Sequence, residues 1–259
     1  MALIQISELH PGVRLLQFNR PEKLNALSTP VMAEFDAALT DAEEEASVRV
    51  LVLRGAGGKV FIAGADIAEY QGDKRAEFAA YQKNSRRVFD KLEKLPKPVI
   101  GAIDGFALGG GFEIALCCDI IIASEAAQLG LPEGRLGLSP GGGGTQRLVR
   151  AVGKHAASDL MLAGWRMSGS RAYELGLAAE VVAAEAMDEA ILKRARACLK
   201  LAPLAQAEMK RLMREGADAP IEAAKSYEQE VLFGLYSTAD GQEGIDAFLE
   251  KREPIFKGK

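Results

Sequence analysis

The chain has 259 residues, and its 32 Lys+Arg against 36 Asp+Glu leave a net charge of -4, so one compact unit can bury a substantial core. That balance gives no global attraction to nucleic acid or to a membrane surface, and any anion site has to be local. Cys117, Cys118 and Cys198 form neither a disulfide framework nor metal-ligand spacing, and no apolar run reaches membrane-spanning length. Residues 1–10 carry neither a secretory leader nor an Arg-rich transit pattern, so a soluble, unprocessed, cytoplasmic protein without a metal is expected.

In chain order, Val13 to Phe18 reads as a strand. Ser28-Thr29-Pro30 then supplies a cap and a first-turn proline for a helix with Met32, Phe35 and Leu39 on its apolar face. Val48 to Leu53 is a buried strand. From Glu77 to Leu95, the residues Phe78, Tyr81, Val88, Phe89, Leu92 and Leu95 recur at helical spacing, and Lys97-Pro98 ends the run before a strand at Val99 to Ile103. Asp119 to Ala123 is a further strand. After Gly153 the pattern is mainly helical, with Ser168 as an N-cap and Gly176 as a stop, and past about residue 200 it is helical throughout. The chain is therefore α/β, with a core over residues 1–200 and a helical region over 201–259 that packs on the core or on a neighbouring subunit. No internal repeat stands out. Trp165, the methionines and the adjacent cysteines read as packing residues.

The 27 glycines gather in runs between elements, at Gly55 to Gly58, Gly109 to Gly111 and Gly141 to Gly144. Gly137-Leu-Ser139-Pro140-Gly141 has the spacing of a serine-hydrolase elbow. The residue after that serine must donate its N–H to the oxyanion, however, and Pro140 has none. Gly58-Lys59 and Gly153-Lys154 lack the upstream glycine of a P-loop, and no dinucleotide fingerprint opens a helix. His10 and His155, the only histidines, offer no cluster, and His155 reads as a surface or packing residue.

What survives is Gly109-Gly110-Gly111-Phe-Glu113, a glycine-rich turn entering an apolar helix. Free N–H groups gather there and favour negative charge. Glu113 shares a face with the Gly110 N–H, and an acid inside an apolar helix is costly to bury unless it is hydrogen-bonded. The plain alternative is an acid serving its own helix N-terminus. Glu133, in the Pro/Gly-bounded loop Gly130-Leu-Pro-Glu133-Gly, would by itself be a turn residue. Ala63-Gly64-Ala65-Asp66 is a second donor turn, with Asp66 as a potential N-cap.

Asn19-Arg20-Pro21 with Asn25-Ala26-Leu27, Ala63-Gly64-Ala65-Asp66, Gly109-Gly110-Gly111 with Glu113, Pro132-Glu133, and Gly143-Gly144-Thr145-Gln146-Arg147-Leu148 together resemble the crotonase (enoyl-CoA hydratase/isomerase) family. The likeness runs from about Val13 to Arg252. It implies a spiral of repeated β-β-α units with a C-terminal helical trimerisation region. It also implies an acyl-CoA substrate whose thioester oxygen sits between the N–H groups of Ala65 and Gly110. Hydratases of the family carry two glutamates where Glu113 and Glu133 stand, whereas its double-bond isomerases typically keep one acid. The resemblance thus favours reversible syn hydration of a 2-enoyl-CoA in fatty-acid or related acyl-CoA degradation. Coenzyme A would be part of the substrate, with no separate cofactor.

The resemblance further places Ala63, Asp66, Ile67, Ala68 and Lys23 around the coenzyme A. Ala68 replaces a lysine found in several relatives, so Lys23 and the C-terminal Lys251, Arg252, Lys257 and Lys259 are the candidates for the phosphates. A homotrimer or dimer of trimers would use the stripe Val231, Leu232, Leu235 and Tyr236, which as a pattern fits an internal core equally well. An isomerase, a hydratase for another acyl group, and an RNA-binding relative are the alternatives. The absence of a basic-aromatic stripe weighs against the last.

Overall fold

In the computed structural model, which describes residues 2–259, β1 (Ile4–His10) pairs antiparallel with β2 (Val13–Phe18) across Pro11-Gly12. Helix α1 (Thr29–Glu44) starts where its signals place it. The Ser28 side chain accepts from the Val31 N–H, Pro30 sits in the first turn, and Met32, Phe35 and Leu39 are fully buried. Strands β3 (Val50–Gly55) and β4 (Val60–Ile62) follow, then α2 (Arg75–Lys94), β5 (Val99–Ile103) and β6 (Phe106–Leu108). Next come α3 (Gly110–Leu116), β7 (Ile120–Ser124), β8 (Gln128–Gly130), α4 (Gly144–Val152) and α5 (Lys154–Leu162). Strand β9 (Met167–Ser168), α6 (Gly169–Glu174), β10 (Glu180–Val182) and α7 (Met187–Leu199) precede three tail helices, α8 (Pro203–Gly216), α9 (Ile221–Tyr236) and α10 (Ala239–Glu250).

The strands sort into two sheets, one ordered β1-β2-β3-β5-β7-β10 and the other β4-β6-β8-β9. Strands β3, β5 and β7 are each followed by a strand of the second sheet, so every turn of the chain gives one strand to each layer. This is a spiral, and its repeat is geometric: the connecting segments differ in length and composition, which hides it from the sequence. One core fills the space inside the spiral, where Leu16, Phe35, Phe61, Phe89 and Phe112 meet. A second lies under α7, where Met187 and Ile191 cover Val50, Val52, Ile100 and Ile122 of the large sheet.

The tail is tied to this body at α8. The Gln206 side chain donates to the Cys198 carbonyl, and buried Lys210 pairs with Asp119 at 2.7 Å. Helix α9 buries none of its residues, and Leu232, Phe233 and Tyr236 stand exposed, so its stripe is not a core within the chain. Three packing expectations are also corrected. Trp165, which follows Gly164 (φ 65°) after α5, is 64% exposed, and Met209 and Met213 are exposed on α8.

Helix α3 is laid directly on β4 through Gly111, where a Cβ would come within 2.2 Å of the Ile62 carbonyl oxygen. That oxygen is backbone and cannot yield. Gly111→Ala is therefore expected to lower stability by about 1–3 kcal/mol, as overpacked sites do, read as a lower urea midpoint at unchanged slope.

Candidate active site

Strands β4, β6 and β8 run parallel and side by side, with Val60 opposite Phe106 and Phe106 opposite Gln128. Their C-terminal ends therefore deliver three loops to one place, the end of an open α/β sheet where ligands ordinarily bind. The first loop carries Ala65. Leu27 grips it by donating to the Gly64 carbonyl and accepting from the Asp66 N–H, both at 2.8 Å. Asn25, buried at φ 55°, steadies the segment before Leu27: its amide donates to the Ala56 and Val60 carbonyls, and its oxygen accepts from the Arg20 N–H. The Asp66 carboxylate heads the turn Ile67–Tyr70 without capping it, because it is held instead by Arg20 at 3.1 Å. Nothing among the described residues accepts the Ala65 N–H.

The second loop turns from β6 into α3. Gly109, at φ 52°, donates to the Gly130 carbonyl at 2.9 Å, and Gly110 begins the helix, where an N–H has no partner within the helix. Glu113, one turn on, is 3% exposed. Its carboxylate does not serve its own helix. Oε1 accepts two N–H bonds of 2.8 Å from Gly142 and Gly144 in the glycine run before α4. Burial raises its pKa above the ordinary carboxylate value, while those two bonds and the charge of Arg147 pull the other way.

The third loop follows β8 and starts a 3-10 turn at Glu133–Leu136. Glu133 lies over Gly109, where a Cβ would stand 3.2 Å from its Oε1, and its buried Oε2 has no hydrogen-bond partner among the described residues. Burial pushes this carboxyl from about 4.5 up to about 7; its own backbone N–H opposes the shift, and the neighbouring Glu113 charge adds to it. The two acids thus sit in one cleft with opposite hydrogen-bond surroundings.

The cleft holds about 590 Å³, a usual size for a small-molecule site. Ala65, Gly110, Glu113 and Glu133 all line it, together with Ala63 and Ile67. The opposite wall is aromatic. Tyr70 meets Phe78 and Tyr81 edge-on at centroid distances of 5.0 and 5.4 Å, and the Tyr81 hydroxyl donates to the Leu27 carbonyl. Lys23, Asp66 and Ala68 are not part of the lining. At the C-terminus, Arg252 is engaged by Glu243 and Glu250, and Asp240 ties the backbone of Lys257 and Lys259 back onto α10. Ser139 lies in an open loop at the cleft after Gly137 closes the 3-10 turn, with none of the strand-turn-helix framing of a nucleophile elbow. Sequence reasoning missed that Gly142 and Gly144 donate to Glu113; the glycine run itself was the available signal.

Comparison with known proteins points to one family. The family model for enoyl-CoA hydratase/isomerase matches residues 8–259. The chain is 39% identical over 255 residues to a crotonyl-CoA hydratase of Syntrophomonas wolfei, covering 98% of each chain. It is 38% identical over 248 residues to a 2,3-dehydroadipyl-CoA hydratase of Escherichia coli, covering 95% of this chain and 96% of the other. A crystal structure of an enoyl-CoA hydratase from Bacillus anthracis superposes with a TM-score of 0.96 at 38% identity, covering 100% of both chains. The chain belongs to the enoyl-CoA hydratase/isomerase family.

The Glu133 proton gives a test that does not depend on activity. The folded protein holds it to about pH 7 while the unfolded chain releases it near 4.5, so stability falls as pH rises through that window. Glu133→Gln removes this titration. Its urea midpoint relative to wild type is expected to move in the variant's favour between pH 4.5 and pH 7. A pH-independent difference would contradict the burial argument.

Proposed function

We propose that the protein is an enoyl-CoA hydratase that reversibly adds water across the double bond of a 2-enoyl-CoA thioester to give the 3-hydroxyacyl thioester. One observation carries the reading: two buried carboxyls, one amide-bonded and one unpartnered, share a cleft with two free backbone N–H groups. The thioester carbonyl lies between the Ala65 and Gly110 N–H groups. Water addition at Cβ builds enolate charge on that oxygen, and one preorganised donor in such a position is worth about 3 kcal/mol. Glu113 accepts the proton of the attacking water, and Glu133 delivers its own proton to Cα on the same face. The surroundings support that division, because amide bonds favour the ionised form of Glu113 while burial keeps Glu133 protonated toward neutral pH. Presence of both acids favours hydration over double-bond isomerisation.

Coenzyme A leaves the cleft along Ala63 to Ile67 as part of the substrate, and the reaction needs no separate cofactor or metal. The exposed apolar residues Leu232, Phe233, Tyr236, Phe248 and Leu249 on α9 and α10 are more than a monomer ordinarily leaves in water. They support self-association, which in our reading is a homotrimer or dimer of trimers, and the same reading sets the enzyme in the cytoplasm, in fatty-acid or related acyl-CoA degradation. Sedimentation is expected to give three or six times the chain mass, and a monomer would refute this assembly.

Crotonyl-CoA is expected to lose its conjugated-thioester absorbance in the presence of the protein. Glu113→Gln and Glu133→Gln should each cost about a hundredfold to ten-thousandfold in kcat, and the double variant less than the product of the two. Full activity in the double variant would sink the mechanism.

A further inference from the structure

We infer that Arg147 is a positioning residue for this reaction, clamping the Gly142–Gly144 turn in the shape that aims two N–H groups at Glu113. The inference rests on the hydratase reading of the cleft and adds a residue outside its acids and its oxyanion donors.

Three successive glycines cannot hold a fixed shape by themselves, since glycine has the widest backbone freedom of any residue. Yet the Gly142 and Gly144 N–H groups meet the same Glu113 oxygen, both at 2.8 Å. Something outside the turn must fix it. Arg147 lies one turn into α4 with its side chain 15% exposed, and its Nη1 donates to the Gly142 carbonyl at 2.6 Å. The guanidinium sits close on the turn: a Cβ on Gly143 would come within 2.3 Å of Nη1. Its other edge is locked to α2. Nε and Nη2 reach the two oxygens of Glu93 at 2.8 Å each, and Nη2 also reaches Asp90 at 3.1 Å. Such a forked pair leaves the guanidinium little freedom.

The ion pair with α2 is complete without Gly142. The bond to the Gly142 carbonyl is what links that pair to the site, through one peptide unit to the donors of Glu113. Helix α2 presses on the same turn a second time through Phe89, whose ring would lie 2.4 Å from a Cβ on Gly142. Arg147 thus acts in two separable ways. It fixes the turn's shape, and its positive charge favours the ionised form of Glu113.

The test is the pH dependence of crotonyl-CoA hydration by wild type, Arg147→Gln, Arg147→Lys and Glu93→Gln, with thermal melts to confirm folding. Arg147→Gln is expected to lower kcat by about tenfold to a hundredfold, as slight misplacement of a catalytic group does, with KM little changed. Its acid limb should move to higher pH, because Glu113 then ionises later. Arg147→Lys keeps the charge and loses the fork, so its acid limb should stay in place while kcat falls. Glu93→Gln leaves the guanidinium less neutralised, which should move the limb to lower pH. A folded Arg147→Gln protein with wild-type kcat and acid limb would overturn the inference. If that variant does not fold, an unmoved limb in Glu93→Gln, or wild-type kcat in Arg147→Lys, overturns it instead. Absence of hydration by the wild-type protein would overturn the hydratase reading and this inference with it, whereas wild-type hydration with unaffected variants counts against Arg147 alone.

Discussion

The cost of burying the Glu113 carboxylate governs the rest of the site. An ionised carboxyl taken out of water loses several kcal/mol of solvation unless the protein supplies donors. Helix α3 cannot supply them, because Glu113 sits a full turn past its start with its side chain turned away from the helix's own N–H groups. The donors come from a turn 29 and 31 residues away, at Gly142 and Gly144. That turn must be glycine. A Cβ on Gly142 would strike the Phe89 ring, and one on Gly144 would lie 3.0 Å from the Glu113 side chain. The run in turn needs walls, which α2 and α4 provide. A single buried charge therefore dictates the composition and placement of several elements.

Glu133 shows the same burial with fewer donors to offset it. It has burial without comparable donors, so the proton stays on, and the nearby Glu113 charge reinforces that state. Burial raises the pKa of both acids, and the two backbone donors at Glu113 oppose that rise while Glu133 has only its own N–H to do so. Low polarity around them also strengthens any bond that the Ala65 and Gly110 N–H groups make to developing negative charge.

How much of this was legible follows from where each piece of information resides. Helices α1 and α2 and strands β2, β3, β5 and β7 carry long apolar patterns and were readable as such. Strand β1 is not, because at the sheet edge five of its seven residues face water and its sequence looks polar. Strands β4, β6 and β8 have three residues each between turns, too few to establish a period, and they are the strands that aim the site. Glu113 was visible as an acid in an apolar helix. Glu133 was visible only through resemblance, since a Pro-Glu-Gly loop is ordinary by itself. Its apposition to Gly109 comes from strand pairing, which no local pattern records.

The acids and free N–H groups of the cleft and its aromatic wall lie on different parts of this fold. The Ala65 and Gly110 N–H groups and the two acids come from the loops that follow β4, β6 and β8, and those N–H groups are backbone atoms whose position is set by sheet pairing. The opposite wall comes from Tyr70 and from the face of α2 that carries Phe78, Tyr81 and Phe89, where only side chains decide the shape. Substitution on that wall can change the chamber without disturbing the strand ends, with one exception. Phe89 touches both, because its ring lies against Gly142 in the turn that holds Glu113. Near Phe89 the aromatic wall and the turn that holds Glu113 are mechanically joined, so a change of ring there acts on both.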